Sequence, residues 1–276
     1  MDEATAKNML RRAQQQGLRG AYLLADLGRA QLYCNGIGAA WFPPWLRWAI
    51  CTLHPSLVPL VAQGKLCASM QGLSLKNVSL RICDCATGKT VYEDFGEMLF
   101  THYGLTGPLV LSASAHLSDI RPEKYEAHID LKPALDEKTL DARIRSDFDK
   151  YRNRDFLNAL GDLLPQKMIE PFVRLCGIDG RKKVHSVTRE ERERMVRTLK
   201  CIRVPLVGFR PIDEAIVTRG GVNVKEVNPK TMESKLTKGL YFAGELLDVD
   251  AYTGGFNLQI AFSTAVLAGS AAACEE

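Results

Sequence analysis

What the 276-residue sequence lacks narrows its class before any motif is considered. It reads as having no apolar run of the roughly 18 residues that a bilayer-spanning helix needs, and its first residues, MDEATAKNMLRRAQQ, form a charged helical pattern instead of a signal peptide. A cytoplasmic location with no membrane partner is the expectation. The eight cysteines stand at 34, 51, 67, 83, 85, 176, 201 and 274, without the paired spacing of a zinc site or the density of a secreted disulfide scaffold. Reduced thiols and no metal follow. A charge of one sign is also missing: 36 Lys and Arg against 32 Asp and Glu leave +4, spread along the chain, which predicts a small-molecule substrate and no nucleic acid. A hydrophobic content of 46% with 25% charged residues excludes disorder and suits one or two globular domains. Composition leaves the oligomeric state open.

Along the chain, Ala4 to Gln16 has helical spacing and stops at Gly17, and Tyr22 to Leu27 and Ala30 to Cys34 read as strands. The segment Asn35 to Ala40 resembles the start of a dinucleotide fingerprint, but Trp41 stands where a small residue is needed and Pro43-Pro44 forbid the helix that should follow. All three tryptophans fall between 41 and 48. From Leu53 the texture becomes short β-rich runs divided by Gly, Pro, Asn and Asp, which predicts a small antiparallel sheet or barrel. Leu75, Val78, Leu80 and Ile82 should face its core, with a break at Asn77. Cys83 and Cys85 lie two apart and read as packing, because a metal needs more ligands than they supply. In the turn-rich stretch FTHYGLTGP, His102 is the candidate proton donor or hydrogen-bond partner, with a purely structural role as the alternative.

Helices are expected after Pro133: Leu135 to Tyr151, Arg154 to Leu164, Lys167 to Cys176 ending at Gly177, and one that Thr188 and Glu191 open as a capping box and that ends near Leu199. Arg181, Lys182, Lys183, Arg189, Arg192, Arg194 and Arg197 are interleaved with Glu190, Glu191 and Glu193, which reads as a solvated face. Strands return at Arg203 to Phe209, Glu214 to Thr218 and Val222 to Val227, with Gly220-Gly221 between the last two. The tail TKGLYFAGELLDVDAYTGGFNLQIAFSTAVLAG then reads as a strand at Leu240 to Ala243, a stop at Gly244-Glu245, an acidic loop, and a helix opening at Gly254-Gly255. Glycines at a helix mouth let another molecule approach the backbone, and first-turn N–H groups attract carbonyl or anionic oxygens; helix packing is the plainer alternative.

The stretch from VTRGGVNVKEVNPK through AYTGGFNLQIAFSTAVLAG closely resembles the C-terminal end of a bacterial NAD(P)/FAD-dependent oxidoreductase family of the BaiN/RdsA type, which includes aminoacetone oxidase-like flavoproteins. QGLSLKNVSL, FGEMLFTHYGLTGP and ALGDLLP resemble the family's other blocks in the same order, so the likeness runs from Leu53 to Gly269. It implies an α/β, Rossmann-like FAD-binding domain interrupted by an insert with a β-rich, barrel-like part and a helical part. The matching boundaries are 1–52 for a remnant of the FAD domain, 53–132 and 133–204 for the two parts of the insert, and 205–276 for the rest of the FAD domain. The cofactor implied is FAD, with NAD(P)H as a candidate electron donor. By the same resemblance, Gly244 and Glu245 lie near the ribityl or pyrophosphate, Gly254, Gly255, Phe256, Asn257 and Leu258 near the isoalloxazine, and Gly220 and Gly221 close by.

The family's N-terminal strand and glycine-rich loop have no counterpart in these residues, so the chain reads as an N-terminally incomplete member, and residues 28–52 depart from the family as a shifted frame would. Two function classes stay open: a flavin-dependent oxidoreductase passing a hydride through FAD between NAD(P)H or an organic substrate and an acceptor, or a cofactor-free fragment or interaction module.

Overall fold

A computed structural model describes residues 50–274. The expectations for the N-terminal helix, the first two strands, the failed fingerprint and the tryptophan cluster lie outside the described residues. The described residues divide into two compact units, one spanning Val58–Arg210 and the other joining residues 50–57 with residues 211–274.

The first unit is built on a closed six-stranded barrel. Its strands are β2 (Leu60–Ala62), β3 (Ser74–Asp84), β4 (Thr90–Phe100), β5 (Gly104–Thr106), β6 (Tyr125–Asp130) and β7 (Ile202–Phe209), ordered β2-β5-β4-β3-β6-β7 with β7 pairing back to β2. β1 (Ile50–Ser56) precedes it in the other unit. Period-two alternation works as expected: Leu75, Val78, Leu80 and Ile82 on β3 point inward with Met98, Phe100, Ala127, Ile129, Val204 and Leu206. The break falls at Asn77, whose φ of 57° marks the irregularity between Leu75 and Val78 in the β3–β4 register. Two short helices, α1 (Leu66–Ser69) and α2 (Pro108–Ser114), flank the strands.

The helical part is inserted between β6 and β7 as α3 (Glu137–Lys150), α4 (Phe156–Ala159), α5 (Gln166–Cys176) and α6 (Arg189–Lys200). Local signals set the ends. Asp136 accepts from the Thr139 N–H at 2.7 Å to start α3, Gly177 closes α5 in the left-handed region, and Thr188 and Glu191 form a reciprocal capping box on α6. The helix expected over 154–164 shrinks to four residues, because the chain turns at Leu160 and the backbone N–H groups of Leu163 and Leu164 both bond to its carbonyl. Phe156, Met168, Phe172 and Leu199 continue the barrel's apolar core into the helices. Four of the seven cations read as a solvated face are paired: Lys182 with Glu191 (2.7 Å), Lys183 with Asp155 (2.8 Å), Arg189 with Glu193 (2.9 Å) and Arg192 with Asp141 (2.5 Å).

In the second unit, β1 pairs antiparallel with β8 (Val217–Val222). Four expectations for the last third of the chain change. The strand at Ile202–Phe209 belongs to the barrel, which it closes. Among the described residues Leu240 to Ala243 pairs through a single bridge between Tyr241 and Glu233, since a strand needs a neighbour along its length, and the strand expected over Val222 to Val227 keeps only Val222, at the end of β8, before a 3-10 turn at Val224–Glu226. The fourth concerns α7 (Phe256–Ala273), which is 18 residues long, carries no charged side chain, and is long and apolar enough to cross a membrane by length and composition. The run escaped the sequence reading because Asn, Gln, Ser and Thr interrupt its Phe, Leu, Ile, Val and Ala residues.

Candidate functional site

The residues singled out by sequence fall in both units. His102 is in the barrel unit, exposed in the turn between β4 and β5, with its ring edge against Tyr103 at 4.9 Å between centres. The Arg210 guanidinium stacks 4.5 Å from the centre of the same Tyr103 ring. The Thr101 hydroxyl accepts from the Gly104 N–H at 3.0 Å, which fixes this turn.

All the other candidates lie in the second unit, around α7. Gly244 begins a 3-10 turn (Gly244–Leu246) whose first N–H donates to the Thr264 hydroxyl at 2.9 Å, so the turn packs on the middle of the helix. Glu245 in that turn is exposed. The acidic segment that follows is fastened to the β1–β8 ribbon. Asp248 accepts from the Gly220 N–H at 3.0 Å, its own N–H donates to the Val222 carbonyl at 2.9 Å, and Asp250 accepts from the Ser56 hydroxyl at 2.5 Å. The Asp248 carboxylate also binds the Cys51 thiol, which together with burial raises that thiol above its ordinary value.

Gly220 and Gly221 are buried and serve close backbone approach. A Cβ on Gly220 would stand 2.3 Å from the Thr52 carbonyl oxygen, and one on Gly221 would stand 2.4 Å from that of Leu246. Asn257 is likewise occupied, its amide accepting from the Ala251 N–H and donating to the Ala251 carbonyl, both at 2.8 Å. That bidentate clamp holds the loop against the first turn of α7. The mouth itself is open. Gly254 and Gly255 have φ of 115° and 89°, no side chain caps the helix, and a Cβ on Gly255 would meet no atom within 4 Å. Phe256 and Leu258 flank it, 59% and 61% exposed.

Sequence reasoning missed Asp248, Asp250 and Cys51. The signal was present in LLDVDAY, where two acids alternate with apolar residues beside a glycine pair. A cavity of about 310 Å³ in the barrel unit is lined by Glu137, Arg197, Thr198, Lys200, Cys201 and Arg203, none of them a predicted site residue. Lys200 there is tied to Asp130 at 2.5 Å and to the carbonyls of Lys132 and Leu135. Among the described residues no cluster of His, Cys, Asp and Glu forms a metal site, and all seven cysteines are free.

A closed barrel with a helical insertion before its final strand, followed in the chain by a glycine-mouthed helix, defines the class of protein. The chain belongs to the HI0933-like family, whose barrel and H2TH domain matches residues 54–217. The chain is 32% identical over 183 residues to a 3-dehydro-bile acid delta(4,6)-reductase of Clostridium scindens, a match covering 66% of this chain and 45% of that protein. It is 31% identical over 209 residues to the ribosomal RNA dihydrouridine synthase of Escherichia coli and 31% identical over 212 residues to that of Haemophilus influenzae, in each case 76% of this chain and 49% of the relative. It spans about half the length of the curated relatives it matches. The reductase fits the expectation of a small-molecule substrate, whereas the two synthases act on RNA and stand against a general exclusion of nucleic acid.

Proposed function

We propose that this chain supplies the barrel, the helical insert and the isoalloxazine-facing helix of a flavin-dependent oxidoreductase that adds two hydrogens across a carbon–carbon double bond. That addition is the chemistry shared by a delta(4,6)-reductase and a dihydrouridine synthase. The carrying observation is the α7 mouth: uncapped N–H groups, two left-handed glycines, and open space where the Gly255 side chain would be. Such a mouth fits a flat ring edge with carbonyl oxygens, because the positive end of the helix stabilises negative charge gathering there. FAD, when bound, supplies hydride transfer, with NAD(P)H as the proposed donor.

The proposed roles differ in kind. Gly254, Gly255, Phe256 and Leu258 form the contact surface, with Gly244 and Glu245 toward the ribityl or pyrophosphate. Asn257, Gly220 and Gly221 hold the loop and turn that shape the mouth. His102, exposed and in a T-shaped contact with Tyr103, is the proposed proton donor to the substrate. A small unsaturated carbonyl compound is the proposed substrate, because Lys182, Lys183, Arg189 and Arg192 of the helical insert's basic run are engaged with carboxylates. The Rossmann-like arrangement and the cytoplasmic location belong to the same proposal.

A second reading, a cofactor-free interaction module, draws on the exposed apolar side of α7, where Phe262 and Val266 are 64% and 67% exposed. Titration with FAD, followed by flavin fluorescence, separates the two. The 276-residue chain contains no glycine-rich pyrophosphate loop, and charge-assisted contacts of that kind are worth about 1.5–3 kcal/mol each. Saturable binding weaker than about 1 μM and abolished by Gly255→Val is therefore expected; no saturation up to about 1 mM would leave the interaction module.

A further inference from the structure

On the outer wall of the barrel, in a region the flavin reading does not use, three side chains form a relay. Strands β3 and β6 are paired so that Cys83 lies opposite Glu126 and Arg81 opposite His128, and alternation turns all four away from the core. His128 Nε2 is 2.6 Å from Glu126 Oε2, and His128 Nδ1 is 3.6 Å from Cys83 Sγ. A carboxylate only accepts, so Nε2 carries the proton and donates to Glu126, which leaves the Nδ1 lone pair for the thiol S–H. The carboxylate orients the imidazole, and the imidazole is placed to take the thiol proton. Arg203 on β7 lies opposite His128 from the other side, so the imidazole stands between two arginine positions.

We propose that Cys83, His128 and Glu126 form a base-assisted thiol, a covalent-modification site for soft electrophiles of the α,β-unsaturated carbonyl class. The step balances without an oxidant or reductant. Nδ1 removes the thiol proton as sulfur forms a bond to the β-carbon, the π electrons move onto the enolate, and the imidazolium returns the proton to the α-carbon. The product is a one-to-one thioether adduct. His128 is the base and Glu126 the positioning residue. Partial burial of all three leaves the sulfur reachable, with the His128 and Glu126 side chains 20% and 24% exposed.

Cys85 provides a comparison within the same molecule. It is exposed, two residues along the chain, but partial desolvation and the negative charges of Glu126 and Asp84 push its thiol up, and no imidazole bonds to it among the described contacts. Accessibility alone makes Cys85 the faster thiol. The relay makes Cys83 the faster one.

Limiting N-ethylmaleimide, quenched at intervals and followed by peptide mass mapping, reads both rates in one sample. Cys83 is expected to be alkylated at least about tenfold faster than Cys85, the roughly hundredfold or more that a positioned general base contributes being partly offset by the lesser access to Cys83. His128→Asn should bring Cys83 below Cys85 while the Cys85 rate stays constant, which also reports that the barrel wall is intact. Glu126→Gln should slow Cys83 to an intermediate rate. If His128→Asn disturbs the wall and moves the Cys85 rate, His128→Gln is the second variant. Faster labelling of Cys85 in the unmodified protein, or an unchanged Cys83 rate once the imidazole is gone, would overturn the proposal.

Discussion

Replacing Gly221 with alanine forces the β8 strand away from the Gly244–Leu246 turn. The new Cβ would lie 2.4 Å from the Leu246 carbonyl oxygen, where ordinary contact begins at 3.4 Å, so about 1 Å of separation must be found between two backbones. The motion costs the bond from the Asp248 N–H to the Val222 carbonyl and strains the one from the Gly220 N–H to Asp248, at about 1 kcal/mol each. Alanine at a φ of 119° adds about 1–2 kcal/mol of backbone strain. Together these give about 3–4 kcal/mol, or about 6–16 °C in melting temperature at 2–4 °C per kcal/mol for a domain of this size. Gly255→Ala is the matched control: its φ of 89° brings the same strain, but no atom lies within 4 Å, so only about 2–8 °C is expected. Differential scanning calorimetry of both variants measures the contrast. Gly221→Ala melting within about 2 °C of the unmodified protein, or below the cost of Gly255→Ala, would refute the close-approach argument.

His102→Ala should lower turnover of an unsaturated substrate at least about tenfold, equivalent to 1.4 kcal/mol, without releasing flavin, as steady-state rates and the absorption spectrum of the flavin-loaded protein would show. Thr188→Ala removes one half of the capping box and should cost about 1 kcal/mol in urea unfolding followed by circular dichroism, with Thr188→Ser close to neutral. The Asp141 carboxyl is pushed up by burial, but hydrogen bonds from Arg192 and Arg145 outweigh this and hold it below its ordinary value. A carboxyl lowered in the folded state contributes stability that is present above its unfolded value and lost as pH falls through the folded one. Stability should therefore drop below about pH 4, and Asp141→Asn should flatten that drop while lowering stability at pH 7; an unchanged acid limb in the variant would remove Asp141 from the account.

The barrel and its helical insert were legible because their signals are local. Alternation on β3, the interruption at Asn77 and the capping box at Thr188 each act within a few residues, and each appears where the residues place it. Ile202–Phe209 was harder to assign, since nothing in a strand says whether its partner is the next strand or one some 150 residues earlier. The site divides the same way. Glycines 254 and 255 announced a helix mouth, but Asn257 looks the same in sequence whether it faces a ligand or clamps Ala251. Cys83, His128 and Glu126 are brought together by strand register, which only folding reveals.

Closure of the barrel by β2 and β7 also sets a timetable. Leu60 pairs with Phe209, 149 residues later, and Ile50 pairs with Val222, 172 residues later. At about 5–20 residues per second, a ribosome that has released β2 works for roughly 7–30 s before its closing partner emerges, and only then can the strand before the barrel find β8. The helical insert emerges in that interval with its caps encoded locally, so it can form while the strands wait. The protein is thus expected to assemble from the inside of its sequence outward, and the β1–β8 ribbon to which the loop before the glycine mouth is fastened should be among the last parts to form.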